Sequence, residues 1–85
     1  MSEFVGEMYL ARTDLDAVHR TAALARAAAE ALALDGADVR YVQSMFVPDD
    51  ETFFCVYEAA SADAVRAAAA RAFLTFDRIA EAMTP

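Results

Sequence analysis

Hydrophobic and polar residues alternate along the first segment of the chain, residues 4–11. Phe4 and Met8 fall in one alternating set, whereas Glu7 and Tyr9 fall in the other. Because successive side chains of a β-strand point to opposite sides of the sheet, this period of two predicts a strand with two different faces.

Three further segments have the composition of β-strands. Residues 39–47 and 52–59 are rich in β-branched and aromatic side chains, and the acidic sequence PDDE between them is typical of a tight hairpin turn. A short final strand is predicted at residues 79–83. The chain therefore predicts four strands, of which the second and third form a hairpin.

Two segments have the spacing of three and four residues that is typical of amphipathic helices. In residues 15–32 a narrow apolar stripe follows Thr13, which can cap the helix, and Gly36 provides a C-terminal stop. A second helix is predicted to begin after Ser61 and to continue to about Ala72. Both helices lie between predicted strands.

The resulting order, β-α-β-β-α-β, indicates an α+β fold of the ferredoxin-like type, with residues 1–85 forming a single domain. In this topology a four-stranded antiparallel sheet carries both helices on one face, and the first and third strands are neighbours at its centre. The other face, called the open face below, is bare in a monomer. Two open faces packed together would form a dimeric α/β barrel.

The composition favours such a dimer. Hydrophobic residues make up 59% of the 85-residue chain, which is more than a small monomer needs, so we expect a homodimer. The net charge of −7 and the scattered arginines argue against nucleic acid as a partner. No apolar segment is long enough to span a membrane, so no membrane association is expected. The lone Cys55 cannot form an internal disulfide, and we expect a protein of the reducing cytoplasm.

Two glutamates on the central strands are the main candidates for a functional site. Glu7 shares its strand face with Tyr9, and Glu58 shares its face with Phe54. Because an unpaired carboxylate is costly in a helix-covered core, both glutamates are predicted to lie on the open face. Adjacent strands and a shared face would place Glu7 and Glu58 close enough to contact one ligand, so both are candidate metal ligands. The same alternation turns Cys55 towards the helices, as a small buried residue.

Aromatic and amide side chains complete the predicted lining of the open face. On the second strand, Tyr41 and Gln43 alternate with inward-facing residues, and Tyr9 reaches the same face from the first strand. These three residues are predicted to contact a bound cofactor or other small molecule, in a cavity that also holds the two carboxylates. A structural alternative stays open, in which Arg12, Arg40 or Arg78 neutralises a carboxylate at the rim or at the dimer interface.

No known catalytic motif accompanies these residues. The chain has no Ser/His/Asp or Cys/His combination that can be placed together, and no phosphate loop or metal-binding motif, so no catalytic residue is predicted. Dimeric α/β barrels nevertheless include cofactor-free monooxygenases and cyclases, in which a desolvated carboxylate can act as a general acid or base. An enzyme of this kind, acting on a hydrophobic small molecule, is the alternative to a binding protein. A dimer without any ligand is a third possibility.

The chain resembles a known family of small domains, most closely over residues 39–82. The hairpin sequence VRYVQSMFVPDDETFFCVYEA, the AVR of the second helix and the ending DRIAEA resemble the small actinobacterial domains called DUF4242, which include nickel-binding ferredoxin-like proteins. The opening strand FVGEMYL is also similar to that of the family, whose glutamate is carried here by Glu7. The resemblance implies a ferredoxin-like fold and a role related to nickel.

Three departures from the family's pattern change what the resemblance implies. Ala68 stands where the family often has a histidine, Tyr41 stands where it often has a tryptophan, and residues 73–75 replace a Gly-x-Pro turn. Without that imidazole, the remaining set of Glu7, Glu58, Cys55 and Tyr9 is harder and richer in oxygen than nickel prefers. The predicted function is therefore a small dimeric ligand-binding protein. Its ligand is either a divalent metal such as nickel or a small organic molecule.

Overall fold

The computed structural model describes all 85 residues as four strands and two helices, with one short 3-10 turn. In chain order the elements are β1 (Ser2–Tyr9), α1 (Leu15–Leu34), β2 (Val39–Val47), β3 (Thr52–Ala59), α2 (Ala62–Arg71) and β4 (Arg78–Ala82). The predicted order β-α-β-β-α-β is confirmed. The strand boundaries differ from the prediction by one or two residues, which is the usual uncertainty of a sequence pattern.

The four strands form one antiparallel sheet in the order β2-β3-β1-β4, so β1 and β3 occupy its centre as predicted. The hairpin between β2 and β3 turns through a 3-10 segment at Pro48–Asp50 and through Glu51, whose φ of 46° is left-handed. The N–H of Leu10 donates to the carbonyl of Glu51 at 3.0 Å. This bond joins the hairpin turn to the chain that leaves β1.

Side-chain caps begin both helices. At α1 the carboxylate of Asp14 accepts a hydrogen bond from the N–H of Ala17 at 3.0 Å, so Asp14 is the N-cap and not the predicted Thr13. Both residue types are good caps, and the backbone decides which one occupies the cap position. At α2 the hydroxyl of Ser61 accepts from the N–H of Ala64 at 3.3 Å, as predicted. Neither helix combines the length and the apolar character that crossing a membrane requires.

The hydrophobic core lies between the helices and one face of the sheet. The sheet supplies large side chains, among which Phe53 and Tyr57 are almost completely buried. The helices supply mainly alanine, such as Ala25 and Ala68, whose small side chains allow a helix to approach the sheet closely. The core therefore consists of large residues on the strands facing small ones on the helices. All helical cover is on this face, and the open face has none.

Both helices end in the same backbone motif with different residues at its left-handed position. At the end of α1, Gly36 has a φ of 95° and the N–H of Ala37 donates to the carbonyl of Leu32 at 3.0 Å. At the end of α2, Phe73 has a φ of 59° and the N–H of Leu74 donates back into the helix at 2.9 Å. Glycine adopts this conformation freely, whereas a residue with a Cβ pays a steric cost. Phe73 is also 95% exposed, so its ring gains little packing in return.

Replacing Phe73 with glycine should therefore stabilise the protein. We expect Phe73→Gly to raise the free energy of unfolding by about 1 kcal/mol, because it relieves the left-handed backbone without removing a buried contact. Thermal denaturation should show a melting temperature higher by roughly 4–8 °C. Phe73→Ala, which removes the ring but keeps the Cβ, is the matched control and should leave the melting temperature nearly unchanged. A stabilisation by alanine equal to that by glycine would contradict the backbone explanation.

Candidate functional site

The open face presents a mixed apolar and charged surface formed by all four strands. Strand pairing and side-chain alternation place one row of uncharged residues, most of them small or β-branched, across its middle. This central row consists of Gln43, Val56, Val5 and Ala80. Charged residues flank the row on both sides, together with Phe54 and Met45 on one side. The members of these flanking rows decide what the face can bind.

Glu58 lies on one side of the central row and is paired with an arginine. Its strand neighbours are Glu3 on β1 and Arg40 on β2. The Nε of Arg40 donates to Oε1 of Glu58 at 2.7 Å, and a second guanidinium nitrogen of Arg40 contacts the same oxygen. The Glu58 side chain remains about one-third exposed. The structure thus matches the structural alternative for Glu58, with the arginine supplied by the same chain.

Glu7 lies on the other side of the central row, away from Glu58. It faces Phe54 on β3 and Arg78 on β4, whereas Glu58 faces Glu3. Glu3 and Glu7 are four residue steps apart on β1, which corresponds to roughly 13 Å along a strand. The prediction of a shared face for Glu7 and Glu58 is correct, but the prediction that they are close enough to share one ligand is wrong within one chain. Alternation determines which face a residue occupies, whereas the register between strands determines which residues are neighbours.

Tyr41 lies on the helix-covered face, contrary to prediction. On β2, Tyr41 pairs with Tyr57 while Gln43 pairs with Val56, so two steps on β2 match one step on β3. Val42 is the extra residue of this β-bulge, and it reverses the alternation that the sequence predicted for the residues before it. The ring of Tyr41 contacts Tyr57 edge-on at 6.1 Å between centroids. Tyr41 therefore belongs to the core and cannot contact a ligand on the open face.

The two other predicted ligand contacts are on the open face but far apart. Gln43 is exposed in the central row. Tyr9 pairs with Thr52 at the hairpin end of the sheet, is 62% exposed, and its hydroxyl donates to Oε2 of Glu51 at 3.4 Å. The end of β1 that carries Tyr9 is opposite to the end near Glu58. The predicted ligand contacts therefore do not form one cluster in a single chain.

Cys55 is part of a buried polar cluster on the helix-covered side of the sheet, as its predicted inward orientation requires. Its thiol is completely buried and lies 3.4 Å from the hydroxyl of Ser44. Burial raises the pKa of the Cys55 thiol, an effect that the bond with Ser44 only partly offsets. Burial, and then the neighbouring Cys55 thiol, likewise raise the pKa of Tyr57, whose hydroxyl has no hydrogen-bond partner. These groups stay protonated at neutral pH and lie on the opposite side of the sheet from Glu58.

An open cleft lies at the end of the sheet near Glu58. It has a volume of about 550 Å³, and its lining includes the carboxylates of Glu3, Glu58 and Glu81. The hydroxyl of Thr84 donates to Glu3 at 3.3 Å across this cleft. The aromatic residues of the predicted cavity do not line it. Glu3 and Glu81 were missed because the sequence pattern does not identify the strand ends that meet here, although Glu3 shares the alternation of Glu7.

The side chains of one chain do not fit a nickel ion. Nickel favours imidazole and thiolate donors, often together with carboxylates. The only histidine, His19, is exposed on α1, and the only thiol, Cys55, is buried on the helix-covered side. No group of three or more His, Cys, Asp or Glu side chains is arranged to hold a metal ion. Ala68, aligned with the family histidine, is completely buried in the core, so it also lies on the wrong side of the sheet for Glu58.

Comparison with known proteins identifies the family. A family model described as nickel responsive protein SCO4226-like matches residues 9–82. The chain belongs to the SCO4226-like family. This result confirms the predicted resemblance to nickel-related small domains. The SCO4226-like match includes Arg40 and Glu58, while Glu3 and Glu7 precede its first residue.

A solved structure supports the fold of this SCO4226-like protein. The crystal structure of SCO4226 from Streptomyces coelicolor A3(2) is similar over 99% of both chains, with a TM-score of 0.68 and 24% sequence identity. At this level of identity the similarity concerns the fold. No curated protein matches the chain. The fold and family of the chain are thus established, whereas its function must be argued from its own residues.

Proposed function

We propose that this SCO4226-like protein is a homodimeric binding protein that holds its ligand at the open face, between two copies of the chain. The proposed polar contacts are Glu58 and Glu7, which lie on the two sides of the apolar central row. Membership in a nickel-responsive family supports a binding role. The observation that carries the proposal is the uncovered apolar surface of the open face.

The open face has the properties of a surface that is covered in the working protein. Val5 is half-buried at its centre, Phe54 lies beside it, and Met45 is 47% exposed towards the edge. Four strands spaced by about 4.8 Å and eight residues of about 3.4 Å each give a projected area of roughly 500 Å². Because side chains project from the sheet, the accessible surface of such a face is larger than its projected area and comes close to the roughly 800 Å² per partner that a standard interface buries. A second copy of the same face is therefore a suitable partner in size and character.

Glu7 and Glu58 become neighbours of a common ligand only if two copies contribute to the site. Within one chain they are separated by the central row, and each has an arginine beside it. Packing two open faces doubles the number of carboxylates and arginines around one apolar layer. A ligand held there would contact apolar side chains in the middle and charged groups at both ends. The cofactor-free enzyme alternative gains no support, because no enclosed cavity and no nucleophile–base pair exists on this face.

The oligomeric state tests the proposal. Sedimentation equilibrium at micromolar concentration should give twice the chain mass of 9.2 kDa. Val5→Arg places a charge in the middle of the open face, and we expect it to weaken the dimer by at least about 100-fold. Its circular dichroism should remain that of a folded protein, because Val5 points away from the helix-covered core.

A matched control separates this effect from a general effect of charge. Ala67→Arg adds the same side chain to an exposed position of α2 and should leave the mass of the dimer unchanged. A wild-type mass of 9.2 kDa would contradict the proposed function. So would a Val5→Arg variant that remains as strongly dimeric as the wild type.

A further inference from the structure

The geometry points to Arg40 as the resident cation at Glu58. We infer that Arg40 occupies the position at which a metal ion would contact this carboxylate, so that the negative charge of Glu58 on the open face is neutralised without nickel. The inference rests on the proposed function only in that it concerns the same face. It concerns which ligand the open face can bind, and it differs from the nickel ligand that the description of the family suggests.

The first observation is the geometry of the ion pair. Two nitrogens of the Arg40 guanidinium point at the same oxygen, Oε1 of Glu58, with Nε at 2.7 Å. A cation bound to that oxygen would lie within a few ångströms of the positive guanidinium. Like charges at such distances repel strongly, and the repulsion is doubled for a divalent ion. Metal binding at Oε1 of Glu58 therefore requires Arg40 to leave its partner.

The second observation is the charge balance of the whole open face. Its carboxylates are Glu3, Glu7 and Glu58, and its guanidiniums are Arg40 and Arg78. Arg78 lies directly opposite Glu7 across β1 and β4. The face thus carries a net charge of about −1, compared with −7 for the chain. Two such faces can approach each other without a metal ion to neutralise them.

The third observation is the chemistry of the donors. Near Glu58 the open face contributes carboxylate, amide and hydroxyl oxygens; the thioether of Met45 lies across the central row, and the single imidazole and the single thiol are elsewhere. Oxygen-only sites suit hard cations better than nickel, and a useful nickel site also needs at least one softer donor. No such donor faces Glu58 from β1, β2 or β4. The chain therefore combines the fold of its family with a face that lacks the ligands for the metal in the family's description.

Isothermal titration with Ni²⁺ tests the inference on protein without a polyhistidine tag. Wild-type protein should show no binding with a dissociation constant below about 1 mM. Arg40→Gln removes the competing charge, keeps a polar side chain, and should bind Ni²⁺ at least about tenfold more tightly. Adding Glu58→Gln to that variant should abolish the gain. Because Arg40 is 63% exposed, its replacement should leave the fold intact.

A second arginine provides the control. Arg66 forms an ion pair with Asp63 on the surface of α2, so Arg66→Gln makes the same charge change away from the open face and should bind Ni²⁺ no better than the wild type. Stoichiometric binding of Ni²⁺ to the wild type with a micromolar dissociation constant would overturn the inference. An Arg40→Gln variant without any gain would overturn it as well.

The mass of the wild type, measured with and without a chelator, separates the inference from the proposed function. An unchanged dimer in the chelator supports a face that needs no metal. A dimer that dissociates in the chelator overturns the inference while keeping the proposed function. A monomer under both conditions overturns the proposed function and leaves the Ni²⁺ titration as the test of Arg40.

Discussion

Replacing Gly6 with alanine should destabilise the protein by about 3 kcal/mol, because the added methyl group overpacks the core. A Cβ at Gly6 would lie 2.6 Å from Cδ2 and 2.8 Å from Cγ of Phe76. Contacts this short do not occur in folded proteins, so the Phe76 ring or the backbone of β1 must move. The ring has little room, because it packs edge-on against Tyr57, which is completely buried.

Thermal denaturation and a double-mutant cycle check this expectation. Gly6→Ala should lower the melting temperature by roughly 12–24 °C, given about 4–8 °C per kcal/mol for a domain of this size. Phe76→Leu alone should also destabilise, because it removes part of a packed ring. In the double variant the smaller leucine leaves room for the alanine, so the two losses should be less than additive. Additive losses would show that the clash with Phe76 is not the cause.

Replacing Ala68 with histidine should have an effect of similar size. The side chain of Ala68 is completely buried among the core residues of α2 and the sheet. An imidazole there overpacks the core and buries polar nitrogens without assigned partners, which together cost about 3–5 kcal/mol. An 85-residue domain is typically stable by only about 4–13 kcal/mol, so this cost removes a large fraction of the total stability.

The same variant tests the nickel site that the family resemblance implies, in which a histidine stands at position 68. Position 68 and Glu58 are on opposite sides of the sheet, so no single ion can contact both. Ala67→His places the same residue at an exposed position of α2, and its cost should stay below about 0.7 kcal/mol. Thermal denaturation of both variants, with and without Ni²⁺, checks the prediction. An Ala68→His variant that is stable and gains nickel affinity together with Glu58 would contradict the structure.

Much of the fold and part of the site could be predicted from the sequence. The alternation around Cys55 correctly placed Phe53 and Tyr57 in the core and Glu58 on the open face. The cap at Ser61 and the stop at Gly36 were also correct. These features depend on residues close together in the chain, and local propensity, capping and side-chain period act over only a few residues.

The rest was decided by contacts between distant segments. The bulge at Val42 turned Tyr41 into the core, and the register of β1 against β3 placed Glu3, not Glu7, opposite Glu58. A strand pattern is unchanged by a shift of two residues along its partner, so it cannot distinguish registers that differ by such a shift. The sequence by itself determined the order of elements, the two faces of the sheet and the shortage of nickel donors. Only the tertiary structure determined that Arg40 meets Glu58, because strand pairing and side-chain packing select neighbours that no local pattern specifies.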